Sequence, residues 1–263
     1  MPSRASTSRR DFLRYTGLAG AATLLPAAVQ GFAWPDAQAA PAVPASSAAA
    51  WARCEAILAR IAAPTFPARD FDITAYGAIG DGVALCTDAF RKAIEVCHDA
   101  GGGRVVVPAG RFLTGAIHLR SGVNLHVSDG ATVAFSRDPR HYLPLVFTRW
   151  EGVELMNYSP LIYAFGQERI AVTGRGTLDG QADQTHWWPW KGLRDPKAPD
   201  TQGPARARLF DMGERGVPVA ERVFGDGAYL RPNFVQPYRC AHVLIEGVRI
   251  INSPMWEIHP VLC

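Results

Sequence analysis

The chain has 263 residues, only 19% of them charged, a formal net charge of +3 and five cysteines. This balance is too weak for a nucleic-acid footprint and tilts mildly towards anionic ligands. Five unpatterned cysteines exclude a disulfide framework and a cysteine-rich metal module, and no cofactor or metal is expected.

In chain order, Ser8-Arg9-Arg10-Asp11-Phe12-Leu13-Arg14 precedes an uncharged apolar run from Tyr15 to Val29. That is the layout of a twin-arginine export signal, and the run is too short for a stable membrane anchor. Ala37-Gln38-Ala39 before Ala40 offers small-residue cleavage between Ala39 and Ala40. Residues 1–39 are therefore set aside as signal. The expected partner is the twin-arginine translocase, and the expected destination is the periplasm or the exterior. Residues 40–70 read as an Ala/Pro/Ser linker with a short helix over Trp51 to Ile61, and one domain is expected over 71–263.

From Phe71 to Gly115 the elements come densely. Phe71, Ile73 and Ala75 alternate with polar residues as in a half-buried strand, and Gly77, Gly80 and Asp81-Gly82 make turns. A helix follows, with Thr87 as its cap and Phe90, Ile94 and Cys97 on one face, stopped by Gly101-Gly102-Gly103. Val105-Val106-Val107 and the short apolar runs after Pro108 read as strands. A helix so placed covers the open end of a stacked sheet.

Further on, Pro237-x-x-Cys240 recurs as Pro260-x-x-Cys263, a 23-residue period, and Val235 matches Ile258. Ile170, Val172 and Gly174 likewise match Val243, Ile245 and Gly247. One coil of a solenoid explains both repeats. Residues 181–227, rich in Pro, Gly and Arg, break the rhythm as a loop excursion over one face. Cys86 and Cys97 lie near opposite ends of the helix, roughly 16 Å apart, beyond disulfide reach. Cys240 and Cys263, one coil apart, are read as reduced thiols stacked in the interior, although a bond between them is geometrically open.

The cap block resembles the N-terminal region of pectin-degrading β-helix proteins, especially the polygalacturonases of glycoside hydrolase family 28, as does the run GVNLHVSDGATVAFS from Gly122 to Ser136. Gly176-Thr177-Leu178-Asp179-Gly180-Gln181 with Trp187-Trp188 resembles a second family segment. Arg231-Pro232-Asn233 and HVLIEGVRIINSPMWEIHPVLC from His242 to Cys263 resemble its bacterial and plant-like branch. The resemblance implies an all-β, right-handed, single-stranded parallel β-helix with an N-terminal capping helix. It also implies an exported hydrolase of α-1,4-galacturonosyl linkages, inverting, with polygalacturonate or pectin as its acidic partner. The 181–227 excursion, able to close one side of a groove, suggests action from chain ends.

Inverting hydrolysis needs two carboxyl groups roughly 6.5–9.5 Å apart. The family supplies them through Asn-x-Asp and Asp-Asp turns followed by Gly-His-Gly and Arg-x-Lys, none of which occurs here. In family order the first acid falls in the coil after Cys263, so the chain is expected to be a front portion, truncated on its C-terminal side, without catalytic residues of its own. Among the residues present, Trp256 suits stacking on a sugar ring, His259 a hydrogen bond to a uronate carboxylate, and Arg231 a fork onto an acidic sugar. The alternatives are a Trp256 packed under a loop, a structural His259 and a surface ion pair at Arg231. Trp187, Trp188 and Trp190 read as loop anchors, and Asp179 as a turn residue. At the level of function the alternatives are a non-catalytic polysaccharide-binding β-helix or an inactive fragment and, less favoured, a pectate or rhamnogalacturonan lyase.

Overall fold

The computed structural model describes residues 47–192 and 200–263. The signal with Arg9 and Arg10, the cleavage site at Ala39 and Ala40, and residues 193–199 of the excursion lie outside the described residues. Residues up to Leu58 form one unit, whose described part is helix α1, Ser47–Leu58. The second unit, from Ala59 onward, is a parallel β-helix.

Among the described residues, thirteen strands in parallel sheets and a two-stranded hairpin build this second unit. They are β1 Asp70–Asp72, β2 Asp81–Leu85, β3 Gly103–Val107, β4 Gly110–Thr114, β5 Ile117–His118, β6 Val123–Val127, β7 Ala131–Phe135, β8 Val146–Trp150, β9 Val153–Asn157, β10 Ile162–Phe165, β11 Glu168–Gly174, β12 Thr177–Asp179, β13 Val235–Tyr238, β14 Ala241–Glu246 and β15 Arg249–Ile251. Three parallel sheets run the length of the stack, in the orders β1-β3-β6-β11-β14, β2-β4-β7-β12-β15 and β5-β10-β13. They are called here the first, second and third faces. The chain visits them in rotation, and its parallel crossovers give the right-handed coil.

Register keeps like residues above like. Val105, Leu125, Val172 and Ile245 form one inward column, and Phe112, Val133, Leu178 and Ile250 another. The repeat read from Pro237 and Cys240 is real in three dimensions, because Val235 bridges Ile258 and Tyr238 bridges Val261. The second repeat is equally real, with Ile170 beside Val243 and Val172 beside Ile245.

Glycine is required where the corner columns close. Gly174 has φ +110, and a Cβ there would enter the Val127 carbonyl oxygen. Gly247, at φ +81, stands over the Gly174 carbonyl in the same way. Only a residue without Cβ permits this approach at positive φ.

Helix α2, Thr87–Asp99, closes the N-terminal end with Phe90, Ile94 and Cys97 buried, and Gly101, Gly102 and Gly103 all have positive φ. Two local expectations are corrected. Thr87 is the first helical residue rather than the cap, and its hydroxyl instead accepts from the Gly115 amide at 2.7 Å. The expected strand through Ala75 stops at Asp72, whose side chain accepts from the Thr74 amide at 2.8 Å and starts a 3₁₀ turn, Ile73–Tyr76.

The corner from the second face to the third varies most. It takes only Gly115 and Ala116 after β4, then the antiparallel hairpin β8–β9 after β7, the long excursion after β12, and the Asn252-to-Glu257 turn after β15. The hairpin turns on Glu151-Gly152, at φ 43 and 93, the left-handed pair that suits a tight hairpin. The excursion carries helix α3, Gln202–Glu214. Trp150, Leu155, Leu209, Phe224 and Leu230 form a small core beneath hairpin and helix, separate from the main one.

Of the cysteines, Cys86, Cys97 and Cys240 are buried and free, whereas Cys54 and Cys263 are exposed and free. Cys240 thus stacks in the interior as expected, and Cys263 does not.

Candidate sugar-binding wall

The variable corner builds a wall beside the third face. Each stack level presents an outward residue on that face. His118 meets Tyr163 edge to face at 5.5 Å, Tyr163 lies in register with Gln236, and Gln236 Nε2 donates to His259 Nδ1 at 3.0 Å. The hairpin lies over this row, with the Tyr163 hydroxyl donating to the Phe147 carbonyl at 2.5 Å and the Thr148 hydroxyl to Gln236 Oε1 at 2.5 Å.

Two of the three expected binding residues are neighbours. Trp256 is 44% exposed, not packed under a loop, and meets His259 edge to face at 4.5 Å. The main chain here runs in register with the coil before it. Phe234 donates its amide to the Trp256 carbonyl at 2.9 Å, and His259 donates its amide to Val235 at 2.8 Å. Beneath the imidazole, Asn233 Nδ2 donates to Nδ1 at 2.9 Å. Burial lowers the His259 pKa, and the nearby Arg149 charge lowers it further.

Arg231 differs from both sequence alternatives. It is 7% exposed, turned inward rather than held in a surface ion pair. Its Nη1 donates to the Pro254 carbonyl at 2.7 Å and its Nε to Gln202 Oε1 at 3.4 Å, while its own carbonyl accepts from Trp150 Nε1 at 3.2 Å. Desolvation lowers its pKa, with Glu151 acting the other way. Arg231 therefore ties hairpin, α3 and the turn before Trp256 together. Trp188 holds the same turn from the other side, donating Nε1 to the Ser253 carbonyl at 2.9 Å. Trp187 is buried, and Trp190 packs edge to face against it at 4.9 Å, as loop anchors do.

Asp179 is a structural residue. Its oxygens accept from the Gln181 amide at 3.0 Å, Asn252 Nδ2 at 2.9 Å and Arg111 Nη2 at 3.3 Å. The other buried or half-buried carboxylates near the wall are likewise engaged, Glu151 by Arg206 and Glu154 by the Tyr238 hydroxyl. Burial, followed by that bond to Glu154, pushes Tyr238 up to about 12.

The chain is similar to a solved structure over most of its length. The structure of a hyperthermoactive exopolygalacturonase from Thermotoga maritima is 54% identical, with a TM-score of 0.76, over 79% of this chain and 47% of that one. The similarity supports a polygalacturonase-like chain of the family 28 kind. Among curated relatives, an exo-poly-alpha-D-galacturonosidase from Dickeya chrysanthemi is 34% identical over 48% of this chain and 21% of its own length. A probable polygalacturonase from Vitis vinifera is 27% identical over 71% of this chain and 33% of its own. The polygalacturonase-like chain thus spans about half or less of the relatives it matches. Residues 6–26 match the TAT (twin-arginine translocation) pathway signal sequence, so the protein is addressed to the twin-arginine translocase and exported to the periplasm or beyond.

Sequence reasoning missed Asn233, Gln236, Thr148 and Arg149 as parts of the wall. Thr148 and Gln236 stand 88 positions apart, and no local pattern links them.

Proposed function

We propose that the whole protein is an exported glycosidase that hydrolyses α-1,4-galacturonosyl linkages of pectin with inversion, working from chain ends. The observation that carries this reading is the 54% identity to an exopolygalacturonase over 79% of the chain. On this reading the residues described here contribute the closed end of the solenoid and one wall of the sugar groove. Trp256 offers a ring face to a pyranose, and His259 hydrogen-bonds a sugar oxygen. Arg231 acts one step back, positioning the Pro254 turn on which Trp256 stands. On this reading the two acids are not among the residues described here.

The long excursion supports chain-end action. It stands on the same corner as Trp256 and is fastened to it by Arg231 and Trp188. A wall of this kind blocks one direction along the groove and leaves a polymer only its terminus to insert.

The experiment is a reducing-sugar assay on polygalacturonate with product sizing. The 263-residue chain alone is expected to show no turnover. The reading frame continued through Asn-x-Asp and Asp-Asp turns is expected to release monogalacturonate. Turnover by residues 1–263 would refute the placement of the acids. Release of an unsaturated, ultraviolet-absorbing product would replace hydrolysis by elimination.

A further inference from the structure

Under His259 lies a set of amide contacts whose stoichiometry bears on where the ring carries its proton. The Arg149 carbonyl oxygen, on the hairpin, accepts from Gln236 Nε2 at 3.3 Å and from Asn233 Nδ2 at 3.5 Å. A carbonyl oxygen only accepts, so Gln236 turns its NH₂ group, not its oxygen, towards it, and the Asn233 NH₂ group faces the same way with its Oδ1 buried and unpartnered. The Thr148 hydroxyl, 2.5 Å from Gln236 Oε1, donates to the amide oxygen in that orientation. Each NH₂ has two hydrogens. With one of each pair on Arg149, the second of each meets His259 Nδ1, at 3.0 Å from Gln236 and 2.9 Å from Asn233.

A ring nitrogen that meets two donors presents its lone pair. We infer that Gln236 and Asn233 are positioning residues that hold His259 as the neutral Nε2–H tautomer, so that the ring offers a ligand one hydrogen-bond donor and no charge. The amides are buried, Gln236 at 0% and Asn233 at 3% exposed, while the ring above them is half-buried. Protonating Nδ1 would set its N–H against two others on buried amides. The lowered His259 pKa runs in the same direction.

The consequence is chemical selectivity. His259 serves a ligand's acceptor oxygen, a hydroxyl or a carboxylate beside the sugar face on Trp256, and the negative charge of a uronate is met by other groups. This inference rests on the reading of His259 as a sugar contact, and the two are separated by using different readouts.

The first readout is the long-range ¹H–¹⁵N spectrum of the full chain labelled at histidine, the His259 signals being identified by their loss in His259→Gln. The expected wild-type spectrum near pH 7 has Nδ1 unprotonated and Nε2 protonated. Gln236→Glu places an acceptor at Nδ1 and is expected to move a proton onto it. A wild-type ring protonated at Nδ1 alone, or at both nitrogens, overturns the inference, and that result requires no variant to fold. The second readout is a fluorescence titration with D-galacturonate. His259→Gln, which retains a donor, is expected to bind within about threefold of wild type, and His259→Leu about tenfold more weakly, the worth of one hydrogen bond. An Nε2–H spectrum without galacturonate binding would sink the sugar-contact reading and leave the tautomer assignment standing.

Discussion

Replacing Gly174 by alanine tests the corner columns, with Gly152→Ala as its matched control. Both glycines have positive φ, +110 and +93, so each substitution carries the strain of a Cβ in a region that L-residues avoid, about 1 kcal/mol. They differ in what the Cβ meets. At Gly152 nothing lies within 4 Å. At Gly174 the Cβ enters the Val127 carbonyl oxygen and stands 2.7 Å from the carbonyl carbon and 3.1 Å from the amide nitrogen, all backbone atoms fixed by the β6–β11 ladder. Those atoms cannot rotate away, and overpacking against them adds about 2 kcal/mol. The shift would also disturb Gly247, which is seated on the Gly174 carbonyl. At roughly 2–4 °C per kcal/mol for a domain of this size, Gly152→Ala should lower the melting temperature by about 2–4 °C and Gly174→Ala by about 6–12 °C. Thermal unfolding followed by far-ultraviolet circular dichroism reads both. Equal shifts for the two variants would refute the contact argument and leave only backbone strain.

Four other outcomes follow from the structure. A thiol-reactive dye should label only Cys54 and Cys263 in the native chain and all five cysteines in denaturant, burial having pushed the Cys97 thiol up to about 11. The Arg140 guanidinium, followed by its backbone amide, holds Asp138 down at about 2. A depressed carboxyl stabilises the fold above its unfolded value and loses that contribution as the pH falls towards 2, so Asp138→Asn should flatten the acid limb of a stability profile between about pH 4 and 2. Arg231→Lys should lower stability by about 1–3 kcal/mol in urea titration, because a single ammonium cannot keep the bonds to Pro254 and Gln202 in the same geometry. Trp256→Ala should weaken binding of galacturonate oligomers about three- to tenfold by calorimetry while leaving the urea midpoint nearly unchanged, its ring being half exposed.

What was legible in the sequence was whatever repeats or alternates locally. The 23-residue spacing from Pro237 to Pro260 could be read because each coil reuses one template, and the bridges at Val235 and Tyr238 show that the spacing is a coil height. The cap helix was readable because Phe90, Ile94 and Cys97 face one way and three glycines follow. Local reading failed where a short polar side chain had two possible partners. Thr87 could cap its own helix but bonds Gly115, 28 positions on, and Asp72 starts a 3₁₀ turn where alternation suggested more strand. The hairpin β8–β9 escaped notice because its anchors, Trp150 to Arg231 and Thr148 to Gln236, cross more than 80 positions. Arg231 misled for a related reason. A guanidinium beside a proline suggests a surface cation, and only the packing of hairpin, excursion and corner shows it turned inward.

The corner between the second and third faces also separates two tasks that most folds couple. After the capping level, the corners joining the other faces are short, two to four residues each. This one holds two residues at one level and a whole helix at another, while the β7–β12, β12–β15 and β10–β13 ladders beside it stay in register. Length there is a free coordinate. A designer could graft, shorten or exchange the wall at this single edge and change which ends of a polymer are admitted, while the stack that carries it keeps its register and its core.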